Sequence, residues 1–271
     1  MAKRRKKHRL RNFFLFLAAL LVCWYWSTFT LTVNQVTVRN SKVRESIKIV
    51  QITDLHGSLF GKENGLLLQK IREQEPDFIA VTGDMYTHGD DAGQARAVAL
   101  LRALAVDFPV YYVNGEHDNS ETFHNALQNA GVRYLDYETE DLEIRGTPVT
   151  LYGITNVYYS PTFNLKNAFT LDESRLNILL AHSENMEDFA DFGLDLVLCG
   201  DTHGGQVRLP YAGALVNNGI WLPELKGRIY TKGLYAKDDT QLFISSGLGN
   251  YPVPLRFLNR PEIAVLTIIP E

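Results

Sequence analysis

Aspartate and histidine residues recur in this sequence at the ends of apolar segments, and their side chains suit the binding of metal ions. They stand in five blocks: Asp54-Leu55-His56, Gly83-Asp84, Gly115-Glu116-His117-Asp118, His182 and Gly200-Asp201-Thr202-His203. Carboxylate oxygens and imidazole nitrogens are ligands for manganese, iron or zinc, and a set this large can hold two ions about 3.5–4 Å apart. The residue types therefore predict a centre for two divalent ions.

Each block, taken alone, also has an ordinary structural explanation. A single aspartate or histidine after a strand is usually a turn residue or a helix cap, and Asn114-Gly115 is typical of a surface turn. Four of the seven histidines fall at such strand ends. It is this coincidence that favours metal ligands over five unrelated turns.

The apolar segments that precede the blocks predict the strands that position them. In the first half, segments 47–53, 78–81 and 110–113 alternate with the helical patterns 63–75 and 92–106, which indicates a β-α-β-α-β order. In the second half, segments 177–181 and 194–199 lead to the last two blocks. Open α/β sheets place their ligand sites at the carboxyl ends of strands, so we expect the five blocks to converge there.

The remaining pattern predicts one domain over residues 46–271. Segments 142–144 and 149–152 alternate polar and apolar residues, as antiparallel strands do, and residues 184–192 have a helical pattern. The expected fold class is α/β, with two mixed β-sheets packed as a sandwich and flanked by helices.

Charge is distributed unevenly along the chain. Seven of the 27 Lys and Arg residues lie within the first 11 positions, and the other 20 accompany 31 acidic residues. An acidic globular part lacks the basic face of a general nucleic-acid binder, so we expect no nucleic-acid partner. The two cysteines, Cys23 and Cys199, supply neither a disulfide framework nor a thiolate metal cluster.

The N-terminal segment predicts a membrane anchor. A basic tail, residues 1–12, precedes the nearly continuous apolar segment 13–31, which approaches the ~20 residues of a transmembrane helix. The positive-inside rule places the tail in the cytoplasm and the domain outside, joined to the single-pass signal anchor by a connector at residues 32–45. A cleaved signal peptide is the alternative, but the small residues of a cleavage site are missing after the apolar run.

Together, the five blocks resemble the motifs of the calcineurin-like metallophosphoesterase family. The family motifs Asp-x-His, Gly-Asp, Gly-Asn-His-Asp/Glu, a separate His and Gly-His-x-His fall here in order, over roughly residues 46–270. Gly204-Gly205-Gln206, Ser246-Gly247-Leu248-Gly249 and Pro254-Leu255-Arg256-Phe257 are similar to the membrane-associated bacterial branch of that family.

The resemblance implies a role for each block. Asp54, His56 and His203 would hold the first metal ion, and Asp84 would bridge to the second. The second ion would take Glu116, His182 and Asp201. His117 would donate the proton to the leaving alkoxide, oriented by Asp118. The implied reaction is the hydrolysis of a phosphoester by metal-activated hydroxide.

Two positions depart from the family motifs, and both belong to the second ion. Glu116 replaces the family's Asn, and Asp201 replaces the first His of the last block. With Asp54 and Asp84 they make four carboxylates, which would neutralise two divalent ions. We therefore expect Mn²⁺, or Fe, Mg²⁺ or Ca²⁺, in preference to Zn²⁺, and a phosphodiester or pyrophosphate rather than a monoester substrate.

The anchor further suggests that the substrate is lipid-linked or derived from the cell envelope. The alternative function is a non-catalytic metal-binding protein of the same fold with a degraded second site. Arg256 could contact a phosphate, yet an arginine beside Phe257 more often covers the surface. We expect His88 and His124 to be solvated and the aromatic pair at residues 158–159 to pack, so neither pair enters the site.

Overall fold

The computed structural model describes residues 2–155, 164–211, 213–217, 220–221 and 230–271. Its helices are α1 Ala2–Phe29, α2 Gly65–Arg72, α3 Asp91–Ala105, α4 Glu121–Gln128, α5 Leu165–Ala168 and α6 Met186–Phe192, with single 3₁₀ turns at Lys62–Asn64 and His203–Gly205. Its strands are β1 Thr32–Arg39, β2 Ile47–Ile52, β3 Phe78–Thr82, β4 Val110–Val113, β5 Arg133–Tyr134, β6 Glu138–Ile144, β7 Thr147–Gly153, β8 Leu176–Leu180, β9 Leu196–Cys199, β10 Arg208–Leu209, β11 Gly213–Ala214, β12 Val216–Asn217, β13 Ile220–Trp221, β14 Gly233–Lys237, β15 Thr240–Ile244 and β16 Glu262–Ile269.

Within the described residues, twelve of these strands form two mixed sheets of six. Sheet 1 has the order β1-β16-β2-β3-β4-β5, and sheet 2 has the order β14-β15-β9-β8-β7-β6. The strands β2 to β5 are parallel in sheet 1, and β7, β8, β9 and β15 are parallel in sheet 2. The predicted antiparallel pair in the middle of the chain is β6 with β7.

The core is layered as the sequence predicts. Ile49 and Phe78 of sheet 1 pack with Ile178 of sheet 2 in a cluster between the sheets. The helices α2, α3 and α4 cover the outer face of sheet 1, and α6 covers the outer face of sheet 2. Because adjacent residues of a strand point to opposite faces, Ile49 serves the inner layer and Val50 the outer one. The predicted sandwich flanked by helices is confirmed.

Sheet 1 begins earlier than the predicted boundary of the domain. Residues 32–45, predicted as a connector, contain β1, which pairs in parallel with β16 from Thr32 to Arg39. Val38 is buried in the layer between the sheets, and Val36 packs against it from the edge. An edge strand with polar residues between its valines has a weaker apolar signal than β2, which is why the sequence pattern does not reveal it.

The N-terminal apolar segment forms a long helix with an exposed apolar surface. Residues His8–Phe29 of α1 have a mean hydropathy of 1.6 and are long enough to cross a membrane. Large apolar side chains such as Phe13, Phe16 and Val22 lie exposed on it. The helix also includes the basic tail, and two residues separate its end from β1.

Candidate metal centre

The carboxyl ends of the central strands of both sheets meet around one cluster of side chains. Asp54 and Asp84 follow β2 and β3 of sheet 1, and His182 follows β8 of sheet 2. Gln51 fixes the two sheets relative to each other, because its amide nitrogen donates to Thr82 Oγ1 (2.8 Å) in sheet 1 and to the carbonyl oxygen of Cys199 (2.9 Å) in sheet 2.

Five of the predicted ligands have backbone conformations that side-chain-bearing residues seldom adopt. Their φ angles lie in the left-handed region: Asp54 (50°), His56 (44°), Asp84 (53°), Asp201 (68°) and His203 (49°). Each such residue costs of order 1–3 kcal/mol, and such strain concentrates at functional sites. The fold therefore holds these turns in a fixed shape that aims their side chains at a common point.

Asp84 lies at the middle of the cluster. Its Oδ2 atom is 3.3 Å from His182 Nε2 and 3.7 Å from His56 Nε2. Its Oδ1 atom accepts the backbone N–H of His117 at 2.9 Å. A methyl group on Gly115 would lie 2.2 Å from that same Oδ1 atom, so the loop can approach Asp84 only with glycine at this position.

Asp54 is fully buried and, like Asp84, has a carboxylate that lies close to two histidine rings. Its Oδ1 atom lies 3.8 Å from His203 Nε2 and 3.9 Å from His182 Nε2, and it accepts the backbone N–H of Asp201 at 3.1 Å. Ligand atoms within 4.8 Å of one another form three overlapping groups: Asp54 with His56 and His203, His56 with Asp84 and His117, and Asp54 with Asp84 and His182.

The chemistry of these atoms fits metal ions. Asp54 Oδ2, His56 Nε2 and His182 Nε2 are buried and have no hydrogen-bond partner among the described residues. The other ring nitrogen of each histidine is held, at 3.1 Å from Thr87 Oγ1 for His56 and at 2.7 Å from the Thr82 carbonyl oxygen for His182. Such outer contacts orient the free nitrogen of a metal-binding imidazole.

Burial is the largest influence on the pKa values of the cluster. It raises the pKa of Asp54 to about 7, lowers that of His56 to about 3 and holds that of His203 well below its usual range. Burial also opposes the charged forms of Asp84 and His182. Their mutual attraction outweighs it, so the pKa of Asp84 is lowered and that of His182 is raised well above 6.5. Cations entering the centre would displace protons from Asp54 and His182.

His117 lies at the solvent-facing edge of the cluster, where its side chain is half-buried. Its ring meets the ring of His56 edge-on, with centroids 5.2 Å apart, and meets Tyr251 in the same way at 4.6 Å. Tyr251 also stacks on His56 at 4.7 Å. The sequence analysis misses Tyr251, because an aromatic residue outside a motif block carries no signal for a site.

The contacts that the structure gives the Asp118 carboxylate are with the main chain, so its predicted role in orienting the His117 ring stays a prediction. The buried carboxylate of Asp118 accepts two backbone N–H groups, from Gly115 to Oδ1 (2.7 Å) and from Met85 to Oδ2 (2.8 Å). Burial, and next the charge of Asp84, raise its pKa to about 6. Both oxygens are thus engaged by the main chain, and Asp118 joins the loop after β4 to the loop after β3.

The structure treats the two residues that depart from the family motifs differently. Asp201 reaches the edge of the cluster, with its Oδ1 atom 4.0 Å from His182 Nε2. Glu116 is exposed and belongs to none of the three ligand groups found among the described residues. The turn that points the backbone N–H of His117 at Asp84 leaves the preceding side chain on the solvent side.

Arg256 is fully buried, so the expectation that it covers the surface is wrong. Its Nε and Nη2 atoms donate to the carbonyl oxygen of Gly249 at 3.0 and 2.6 Å, and its Nη1 atom has no partner among the described residues. Burial lowers its pKa to about 10, and the nearby carboxylate of Asp54 opposes that shift. Asn259, which also escapes sequence analysis, donates its amide N–H to the carbonyl oxygen of His203 at 2.7 Å.

The remaining weak candidates lie away from the cluster or cannot be placed. His88 is exposed, as expected, whereas His124 is half-buried and stacks on Tyr134 with ring centroids 4.1 Å apart. The aromatic pair at residues 158–159 lies outside the described residues.

Comparison with known proteins gives consistent matches over the domain. Residues 47–205, which contain all five motif blocks, match the family model described as Calcineurin-like phosphoesterase. The chain is 30% identical over 234 residues to the "Uncharacterized metallophosphoesterase YkuE" of Bacillus subtilis, covering 83% of this chain and 79% of that protein. It is 27% identical over 232 residues to "Phosphodiesterase YaeI" of Escherichia coli, covering 82% of each. A solved phosphopantetheinyl hydrolase from Mycobacterium tuberculosis superposes with a TM-score of 0.47 at 13% identity, covering 80% of this chain and 97% of that one.

Proposed function

Because the chain belongs to the calcineurin-like phosphoesterase family, we propose that it hydrolyses a phosphodiester or pyrophosphate bond at a dinuclear metal centre. The observation that carries the proposal is the position of Asp84 Oδ2, which lies between the free nitrogens of His56 and His182 at 3.7 and 3.3 Å. A carboxylate oxygen placed between two ligand groups suits the bridging ligand of two ions.

In the proposed centre the ligands divide between two metal positions. Asp54, His56 and His203 would hold the first ion, and Asp84 would be shared. His182 and Asp201, together with Glu116 after its side chain turns inward, would hold the second. When bound, the ions polarise phosphoryl oxygens and lower the pKa of water to near neutrality. The oxygen-rich second position favours Mn²⁺, or Fe, Mg²⁺ or Ca²⁺, over Zn²⁺.

The carboxylates of the centre bear on the choice of substrate. Asp54, Asp84, Asp201 and Glu116 would neutralise two divalent ions, which leaves little net positive charge to attract a monoester dianion. A phosphodiester carries a single negative charge and suffers less from this balance. The name of the related Escherichia coli phosphodiesterase agrees with this choice. Faster turnover of p-nitrophenyl phosphate than of bis(p-nitrophenyl) phosphate would contradict it.

His117 is the proposed proton donor to the leaving oxygen. Its main chain is fixed by Asp84, and its half-buried ring lies beside His56 at the open edge of the cluster. An imidazole in partial contact with water can exchange its proton with solvent, which a general acid requires. A substrate can therefore reach the ring of His117, whereas the ring of His182 is buried more deeply.

Hydrolysis of bis(p-nitrophenyl) phosphate by the full chain in detergent with Mn²⁺ tests the proposal. His117→Ala should lower kcat by roughly 10²–10⁴-fold, whereas His88→Ala removes an exposed imidazole as a matched control. Equal rates for wild type and His117→Ala would remove His117 from the mechanism. Inactivity with every divalent ion would support a non-catalytic metal-binding protein, the alternative that the exposure of Glu116 favours.

The exposed apolar surface of α1 supports a membrane anchor with the domain outside the cytoplasm. The basic residues before the span favour this orientation. N-terminal sequencing of the membrane fraction is the test. A mature chain beginning after residue 29 would show instead that the segment is a cleaved signal.

A further inference from the structure

The end of α1 is joined to the domain by a network of hydrogen bonds with one loop, residues 249–260. The Thr28 hydroxyl donates to the carbonyl oxygen of Arg256 and accepts its backbone N–H, both at 3.2 Å. The Ser27 hydroxyl accepts the N–H of Leu258 at 3.1 Å, and the Asn250 amide donates to the carbonyl oxygen of Thr28 at 3.1 Å. The loop therefore lies against the last turn of the candidate membrane span.

The same loop also borders the metal centre. The N–H of Gly249 donates to the carbonyl oxygen of Asp54 at 2.5 Å, and Tyr251 packs on the rings of His56 and His117. Arg256 links the two regions, because its main chain binds Thr28 while its guanidinium group binds Gly249. The loop 249–260 therefore contacts both the metal centre and the end of α1.

Exposed apolar side chains surround this junction. Val253 is 49% exposed and Leu258 is 51% exposed. Val253 precedes Pro254, whose carbonyl oxygen accepts a hydrogen bond from Trp24 of α1, and the N–H of Leu258 donates to Ser27 of α1. Tyr25 and Trp26, near the end of α1, are also exposed, and the Arg260 guanidinium lies 4.7 Å from the centre of the Trp26 ring. Aromatic residues with an adjacent arginine are typical of the bilayer interface.

We propose that the loop 249–260 lies in the lipid interface, and that the centre takes an amphiphilic phosphoester whose apolar chain stays in the bilayer. The occupant of the apolar surface is the membrane itself, in the leaflet next to the domain. The loop is hydrogen-bonded to the end of α1, which the bilayer would surround. Tyr251, which packs on His56 and His117, would then place the edge of the metal centre at the depth of the lipid headgroups. This substrate class rests on the proposed phosphoesterase function.

The first test measures lipid contact without any reference to activity. A spin label is attached to Val253→Cys or Leu258→Cys of the full chain, in a Cys23→Ser background, and the protein is reconstituted in phosphatidylcholine nanodiscs. Val106→Cys is the control, because Val106 is 80% exposed and lies before β4, at the amino ends of the parallel strands whose carboxyl ends carry the centre. Oxygen, which partitions into lipid, should speed the spin relaxation of the labels at 253 and 258 more than a water-soluble nickel chelate does. The nickel chelate should have the larger effect on the label at 106. The same response at all three positions would overturn the proposal.

The second test compares two substrates that differ only in their alkyl chain, methyl and hexadecyl p-nitrophenyl phosphate, on nanodiscs that hold the full chain. Val253→Asp/Leu258→Asp should lower the ratio of hexadecyl to methyl kcat/KM at least about tenfold, since charged residues leave the interface. Val106→Asp should leave this ratio at the wild-type value. Failure to hydrolyse either substrate would contradict the proposed function. Hydrolysis of both with an unchanged ratio in the double variant would contradict only the lipid surface.

Discussion

Asp84 and Glu116 are two carboxylates predicted for the same metal ion, and they lie in opposite surroundings. Asp84 belongs to an inner part of the centre, with Asp54 and His182, in which every side chain is buried and faces the others. Glu116 belongs to a rim, with His117 and Asp201, whose side chains are partly or fully exposed. The fold holds the main chain of both parts, but it packs only the inner side chains against one another, so we expect ions and substrate to order the side chains of the rim.

The largest effect should follow from removing the central carboxylate. Asp84→Asn replaces the atom between His56 and His182 and should lower kcat roughly 10³-fold, with less metal bound per chain. Turnover and metal content of the purified protein measure both effects. Asp191→Asn, which changes an exposed carboxylate paired with Lys166, is the control. An active variant that retains two ions would show that Asp84 is not shared.

A second substitution separates support of the loop from catalysis. Asp118→Asn sets an amide N–H₂ group against the backbone N–H groups of Gly115 or Met85 and should lower the free energy of unfolding by about 2–4 kcal/mol. Urea unfolding of the full chain in detergent measures this change. Glu116→Gln makes the same chemical change on the rim, where it should alter stability by less than about 0.5 kcal/mol. Unchanged stability of Asp118→Asn with a displaced pH profile of kcat would instead support the predicted role of Asp118 in orienting His117.

Metal uptake by the inner part should depend on pH. Because burial raises the pKa of Asp54 to about 7, this carboxyl holds a proton below pH 7 that a cation must displace. The affinity of the metal-free protein for Mn²⁺ should therefore fall at least about tenfold for each pH unit from 7 to 5. Titration calorimetry at several pH values measures the affinity and the protons released. A flat affinity over this range would place the cation away from Asp54.

The smallest effect tests the rim itself. Glu116→Gln should weaken the second Mn²⁺ by about tenfold and leave the first nearly unchanged, since a neutral amide is a poorer ligand than a carboxylate. Manganese titration followed by electron paramagnetic resonance distinguishes the two ions. Glu121→Gln, at an exposed position on α4, is the control. If both ions bind Glu116→Gln as they bind the wild type, the exposed carboxylate is not a ligand.

The sequence predicts the inner part well because its signals are local. The apolar runs that become β2, β3 and β8 end directly at Asp54, Asp84 and His182, so the strand pattern and the ligand types coincide. The layered sandwich follows from the same runs, since segments buried on both faces must lie between two layers.

The parts that the sequence does not reveal depend on contacts between distant segments. Tyr251 stacks on a histidine 195 positions earlier, and Arg256 is buried through its bonds to Gly249 and to a residue of the N-terminal helix. Side-chain direction in a turn is equally hidden. The spacing of Glu116 and His117 is the same whether one or both point inward.

Only Thr30 and Leu31 separate α1 from β1, and the guanidinium group of Arg260 binds the main chain of both. A chain with a long tether would let its domain tumble and search the volume around its anchor. In the proposed anchored protein, the short connection would hold the domain at one height above the bilayer and would leave it free to turn about the helix axis. Encounter with a lipid-borne substrate would then become a search in two dimensions. The rate would follow the number of substrate molecules per unit area of membrane rather than their concentration in the bulk.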